Sequence, residues 1–392
     1  MDLIQESKNI FPEVVRIRRK IHRNPELGEE ERETAALIQR ELTAYGIPFH
    51  PNVAGLGIVG HIGSGTRAVG IRADIDALPI SECTDLPYAS CKPGLMHACG
   101  HDMHTAILLG AARILKNKEE AINRAGGAVK LFFQPAEETI GGAERMIQAG
   151  YLQNPDVYAM IALHIDPAYP SGTVVLRYGA MNAETQSFEI RVQGKSCHGA
   201  HPDMGIDTIV IAANIVTAIQ TISSRYNAPT TPVIVTIGSI HGGDAANAVP
   251  GEVIMKGTMR ALSADVMAKN KDWLREITAG IAASYGGRAD LAFGEDGYPA
   301  LINDDEITQT VERNARRLLG DRYVALMPEA SLGGDDFAFF TRATKGSYFN
   351  LGVTRPGEPV YPLHSDHLSP DEEAMIHGIA IECATALDLL GL

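Results

Sequence analysis

Ala68-Val69-Gly70-Ile71-Arg72-Ala73-Asp74-Ile75-Asp76-Ala77-Leu78-Pro79 opens on a short apolar run and closes on two aspartates and a proline. A run of this length reads as a strand buried on both faces, and Asp and Pro are the residues that favour a strand exit. Short apolar runs recur at 57–62, 128–133 and 157–163. Helical periods separate them. Phe11, Val14, Val15, Ile17 and Ile21 line one face of a helix that must stop near Asn24-Pro25. Residues 30–45 repeat the period through Ala35, Leu37, Ile38 and Leu42, with Gly46 as the stop, and 103–115 forms a third helix. Alternating helices and buried strands predict an α/β fold, a mixed, largely parallel sheet flanked by helices.

The pattern changes near residue 183. Residues 187–192 alternate like a half-buried strand, 206–222 read as helix, 233–240 and 252–260 as strands, 265–284 as helix and 291–294 as a short strand. This β-α-β-β-α-β order is that of a ferredoxin-like α+β sandwich. After 299 the α/β pattern resumes and ends in a helix over 370–390. The expected organisation is therefore a domain of 1–182 and 299–392 with a smaller one, 183–298, inserted into it.

With 45% hydrophobic and 21% charged residues, the chain has an ordinary globular balance, and 392 residues suggest two or three domains. A net charge of −14 argues against nucleic acid or an anionic membrane as partner. The N-terminal stretch lacks the uninterrupted apolar segment of a signal peptide, and no run of about 18 apolar residues occurs, so a cytoplasmic location is expected. Five cysteines are too few, and odd in number, for a disulfide framework. They fit a reducing compartment and leave a thiolate available for a metal.

Four clusters carry chemistry, most of them at the end of an apolar segment, where sites lie in open α/β sheets. His97-Ala98-Cys99-Gly100-His101-Asp102-Met103-His104 packs three histidines, a cysteine and an aspartate into eight residues. Deprotonated Cys and His are metal ligands, and a Cys-x-His pair can reach one site from a tight glycine turn. No second Cys-x₂-Cys or His-x₃-His element follows, which disfavours a structural zinc module. The run is expected on a loop, with a helix beginning at its end. Gln134-Pro135-Ala136-Glu137-Glu138 follows a strand. Adjacent side chains leave an extended segment in opposite directions, so one glutamate can bind metal while the other faces a water. Asp74 and Asp76 can ligate a metal or orient a ligating histidine. His164 ends a strand, and His364 precedes the last helix. In the inserted segment, His198, Asn247 and Arg260 form a polar set that composition alone does not separate from ordinary loop chemistry.

Together these signatures resemble the zinc- and manganese-dependent aminoacylase and carboxypeptidase family, most of all its hippurate hydrolases and plant indole-acetyl-amino-acid hydrolases. Gly257-Thr-x-Arg260, Gly333-Gly-Asp-Asp336-Phe337 and His364 extend the likeness over essentially the whole chain. Asp335 departs from it, since many relatives carry Glu there. The resemblance implies a dinuclear metallo-exopeptidase type of catalytic domain with an inserted lid. Two divalent ions, manganese or zinc with nickel or cobalt as alternatives, would be held by Cys99, His101, Glu138, His164 and His364, with Asp76 supporting. It further implies Glu137 as general base, His198 as donor to the oxyanion, and Asn247 and Arg260 as substrate-binding residues. The activity implied is hydrolysis of the amide bond of N-acyl amino acids, hippurate-like or N-acetyl. Dipeptide hydrolysis is the alternative, and a non-catalytic relative is disfavoured by the intact Glu137. The expected partner is the small-molecule substrate, with a homodimer or homotetramer through the lid domain left open.

Overall fold

The computed structural model describes residues 2–295 and 297–392. The chain forms two compact units. One comprises Met1–Met181, Ile302–Glu329 and Asp336–Leu392, the other Asn182–Leu301 and Ala330–Asp335. The return segment Ala330–Asp335 differs from the sequence expectation, which kept everything beyond 299 in the first domain. Two bonds tie it to the second unit. The Ala183 amide donates to the Gly333 carbonyl at 3.0 Å, and Arg260 Nη1 donates to the Leu332 carbonyl at 2.8 Å. Six residues without an apolar period carry no sign of such pairing in the sequence.

The first unit is built on an eight-stranded sheet. Its order is Phe49–Val53, Gly57–Ile62, Gly127–Gln134, Arg67–Asp74, Asp156–Pro170, Lys345–Thr354, Val174–Leu176, Val324–Leu326. The four central strands run parallel to one another, while Gly57–Ile62 and Val174–Leu176 join them antiparallel. Every residue of Gly127–Gln134 is buried, as is all of Arg67–Asp74 except its first residue. Such strands need helices on both faces, hence their apolar runs. The helix His101–Lys116 is buried over fourteen of its sixteen residues. It packs on Leu3–Arg23 and Ala374–Leu389, and so it is apolar nearly all round.

The second unit follows the order Glu184–Gln193, Thr208–Thr221, Val233–His241, Glu252–Ala261, Ala264–Ser284, Arg288–Phe293. Its sheet runs Val233–His241, Glu252–Ala261, Glu184–Gln193, Arg288–Phe293, every neighbour antiparallel. That is the ferredoxin-like arrangement. Phe188, Ile190 and Val192 alternate onto one face, where they pack with Ile211, Ile215 and Leu274 of the two helices. Among the described residues no helix is long and apolar enough to cross a membrane.

Candidate metal centre

The first unit gathers its polar side chains where the parallel strands end. Arg67–Asp74 and Asp156–Pro170 pair, with a register shift between Ala68 and Val69, only as far as Arg72 opposite Ala162. Beyond that point Asp74 and Asp76 stand at the exit of one strand. His164, expected from sequence to end a strand, lies within Asp156–Pro170, which runs on beside Lys345–Thr354 with His164 opposite Asn350. Crevices at the carboxyl ends of parallel strands are where open α/β sheets place their sites. The loop from His97 reaches the same place and turns at Gly100, whose φ of +88° is left-handed. A Cβ there would stand 2.2 Å from Cδ1 of Ile165, so the turn requires glycine twice over. The helix starts at His101, two residues before the position expected from sequence. Its cap is a left-handed glycine with no side-chain hydrogen bond, rather than the Ser, Thr, Asp or Asn that marks most helix starts. His101 and His104 therefore belong to the first helical turn instead of a loop, and their spacing of three puts them on one face.

The imidazoles are oriented by acceptors that fix their tautomers. His101 Nδ1 donates to Asp76 Oδ1 at 3.1 Å. Its Nε2 is buried and meets no hydrogen-bond partner among the described residues, with carboxylate oxygens of Asp74 and Glu138 at 3.7 and 3.8 Å. His164 Nδ1 donates to the Ile165 carbonyl at 2.7 Å, which leaves Nε2 as an acceptor 3.4 Å from the Cys99 sulfur. Glu138 Oε1 lies 3.3 Å from His364 Nε2, and the Glu138 amide donates to Asp76 Oδ2 at 3.0 Å. The His364 amide donates to the Ala98 carbonyl at 2.8 Å, and its φ of +66° holds the ring at that bend. Donor atoms of Cys99, Glu138 and His364 lie within 4.8 Å of one another, as do those of His101, Glu137 and Glu138. One sulfur, three imidazoles and two carboxylates thus come together, with Cys99, His101, His164 and Glu137 buried, Glu138 half-buried and His364 exposed at the rim.

This donor set suits divalent cations. Burial pushes the His164 imidazole down to about 3, so at neutral pH it is the neutral, ligating form. Burial also lifts the Cys99 thiol well above its ordinary range, against the pull of His101, so a thiolate here needs a neighbouring cation. On Glu138, burial is outweighed by His364 and His101, which hold its carboxyl down at about 2. On His101, burial is outweighed by Asp74 and Cys99, and the ring is drawn well above its usual value. A pocket that favours positive charge, and that holds an unsatisfied buried His101 Nε2, fits metal ions.

His104, which the sequence placed in the same run, has both nitrogens taken. Nδ1 donates to Asp74 Oδ1 at 2.6 Å, and Nε2 accepts the Ile165 amide at 2.9 Å. It therefore braces the two strand exits, and Asp74 anchors it. Sequence reasoning also passed over Gln134 and Asp336 as a network. Arg72 donates to Asp74 Oδ2 (2.7 Å), Gln134 Oε1 (2.8 Å) and Asp336 Oδ1 (2.8 Å), all fully buried. The available signal was an arginine inside an apolar strand, since a buried charge must be paired. In the second unit, His198 pairs through its backbone with Ala248, and its Nδ1 accepts the Ala200 amide at 3.0 Å. The Asn247 carbonyl accepts the Gly199 amide at 2.7 Å, so His198 and Asn247 are neighbours. Arg260 lies on the larger sheet of that unit, held to Leu332.

Comparison with known proteins adds a family. The model of peptidase family M20/M25/M40 matches residues 70–388. The N-acetyl-L-cysteine deacetylase of Bacillus subtilis is 37% identical, over 93% of this chain and 85% of its own. The IAA-amino acid hydrolase ILR1-like 4 of Arabidopsis thaliana is 36% identical, over 98% of this chain and 87% of its own. Among solved structures, a Bacillus subtilis protein described as a dinuclear metal binding peptidase from M20 family superposes with a TM-score of 0.85. It is 31% identical, and the match covers 98% of this chain and 99% of that one.

Proposed function

Because the chain belongs to peptidase family M20/M25/M40 and is a hydrolase, we propose that it is a two-metal amidohydrolase that releases a carboxylic acid and a free amino acid from N-acyl amino acids. The observation that carries this reading is the meeting of Cys99, His101, Glu138, His164 and His364, with Glu137 beside them. The two-ion count is supported by the dinuclear relative, and the substrate class by relatives named for an N-acetyl amino acid and for an acyl amino acid conjugate. Manganese or zinc suits the mixed sulfur, nitrogen and oxygen donors, with nickel or cobalt as alternatives. The free cysteines suit a reducing cytoplasm.

Bound there, the ions would supply Lewis acidity toward an acyl carbonyl and lower the pKa of water. Asp76 holds the His101 ring by Nδ1, so that Nε2 is the ligating nitrogen, and its other oxygen holds the Glu138 backbone. Glu137 takes the proton of the attacking water and returns it to the leaving amine. In the second unit, which we read as the lid, His198 donates to the oxyanion, while Asn247 and Arg260 hold the substrate.

The test separates the paired glutamates. Glu137→Gln should keep its metal and lose turnover by about a hundredfold or more. Glu138→Gln should lose metal, because a neutral amide is a poor ligand for these cations. Metal content measured beside turnover decides it. A metal-poor Glu137→Gln with a metal-loaded Glu138→Gln would reverse the assignment, and two active variants would remove the site.

A further inference from the structure

Ala136 stands immediately before Glu137 and Glu138 with a φ of +56°. An alanine in left-handed backbone is strained, and it persists only where its surroundings over-determine it. Part of that determination is local. The Gly141 amide donates to the Ala136 carbonyl at 2.9 Å and closes the turn. The rest comes from the segment Glu26 to Glu31, over a hundred residues earlier. The Ala136 amide donates to Glu31 Oε1 at 2.8 Å, in a fully buried bond. Gly28 lies under the same turn, where a Cβ would stand 3.0 Å from Ala136 Cα and 2.5 Å from Thr139 Oγ1. The segment also reaches the neighbouring exit, since the Ala77 amide donates to the Glu26 carbonyl at 2.8 Å.

Glu31 precedes the helix Arg32–Ala44 and would ordinarily cap it, yet its side chain makes no cap bond. That task falls to Glu26, whose carboxylate accepts the amides of Glu33 and Thr34. Burying a carboxyl is costly, and burial pushes that of Glu31 up to about 7 despite the pull of backbone amides. An acid kept at such a position, and released from capping, has the Ala136 amide as its partner.

We propose that Glu31 is a positioning residue that holds the Ala136 amide and so fixes the strained turn presenting Glu137 and Glu138. Its consequence for turnover rests on the reading of those two residues as base and ligand, while its effect on the turn does not. The test compares the full chain with Glu31→Met, which keeps the bulk and removes the acceptor, and with Glu31→Gln, which keeps an acceptor oxygen. Three quantities are read: hydrogen exchange of the peptide spanning 133–142, affinity for Mn²⁺ by calorimetry, and kcat and KM on an N-acyl amino acid. Glu31→Met should exchange faster in that peptide by about tenfold or more, bind Mn²⁺ more weakly, and lose kcat by at least about tenfold with KM nearly unchanged. Glu31→Gln should restore all three to within about threefold. Should Glu31→Met fail to fold, Glu31→Asp, which withdraws the acceptor by one methylene, is expected to show the same losses. Native exchange and Mn²⁺ affinity in the variant lacking the acceptor would overturn the proposal, and so would a Glu31→Gln as damaged as Glu31→Met. If the parent itself hydrolyses no N-acyl amino acid, the reading of the activity fails, while exchange and Mn²⁺ affinity still decide the role of Glu31.

Discussion

Gly100→Ala should damage both the fold and the metal centre, and the size of the damage follows from two distances. A left-handed φ of +88° costs a non-glycine residue about 1–2 kcal/mol. The added methyl would lie 2.2 Å from Cδ1 and 2.6 Å from Cγ1 of Ile165, a side chain only 1% exposed. Ile165 has nowhere to retreat, and overpacking of this kind costs about 1–3 kcal/mol. The sum is about 2–5 kcal/mol, or roughly 10 °C in Tm for a unit of this size. Scanning calorimetry of the metal-free protein measures it. The two contributions are separated by Ile165→Ala, which removes both clashing carbons and leaves Cβ at 3.7 Å. The double variant should be more stable than the two single losses predict, by the overpacking part of about 1–3 kcal/mol. His164 Nδ1 donates to the Ile165 carbonyl, so a displaced Ile165 should also weaken metal binding in Gly100→Ala. A Gly100→Ala within about 0.5 kcal/mol of the parent, or strict additivity with Ile165→Ala, would refute the account of this turn.

Cys99→Ser should weaken divalent metal binding by an order of magnitude or more in calorimetric titration, because a hydroxyl is a far poorer anionic ligand than a thiolate; native affinity would exclude the sulfur from the ligand set. Arg260→Lys should reduce kcat/KM for substrates with a free α-carboxylate more than for their carboxamides, since lysine lacks the planar two-pronged donor, and equal losses would remove Arg260 from that role. The Glu31 carboxyl, raised by burial from an ordinary 4.5 to about 7, binds its proton more tightly in the folded state. Its contribution to stability is therefore full below about 4.5 and is lost as pH rises through about 7, on the order of 3 kcal/mol in all. Urea unfolding of the metal-free parent and of Glu31→Gln should show the variant gaining on the parent between pH 5 and pH 8, and parallel profiles would contradict it.

Much of this arrangement was legible because it is local. The alternation through Phe188, Ile190 and Val192 and the two helical periods after it specify a ferredoxin-like order before any contact is known. Cys99, His101 and the two glutamates stand out because ligand-bearing residues are concentrated at strand exits, where turn chemistry is also expected. What stayed hidden depends on tertiary choice. The helix start at His101 carries no capping side chain, because Gly100 makes the turn through its own backbone. His104 shares the histidine-rich run, and only the fold shows its two nitrogens engaged by Asp74 and Ile165. Glu31 lies among Glu26, Glu29, Glu30 and Glu33, so residue type does not single it out, and only the fold turns its carboxylate inward to Ala136. The pairing of Ala330–Asp335 with the second unit uses only the segment's own backbone carbonyls, at Leu332 and Gly333, which leave no trace in its residue types.

The most direct test of the central claim is hydrolysis of a panel of N-acetyl and N-benzoyl amino acids, beside matching dipeptides, by one preparation stripped of metal and then restored with Mn²⁺ or Zn²⁺. The account predicts no turnover in the stripped protein, recovery on metal addition, and higher kcat/KM for acyl amino acids than for dipeptides. Full activity without metal would contradict the metal centre. Turnover of dipeptides alone would contradict the substrate assignment, and silence toward every amide with every metal would contradict the proposed amidohydrolase activity.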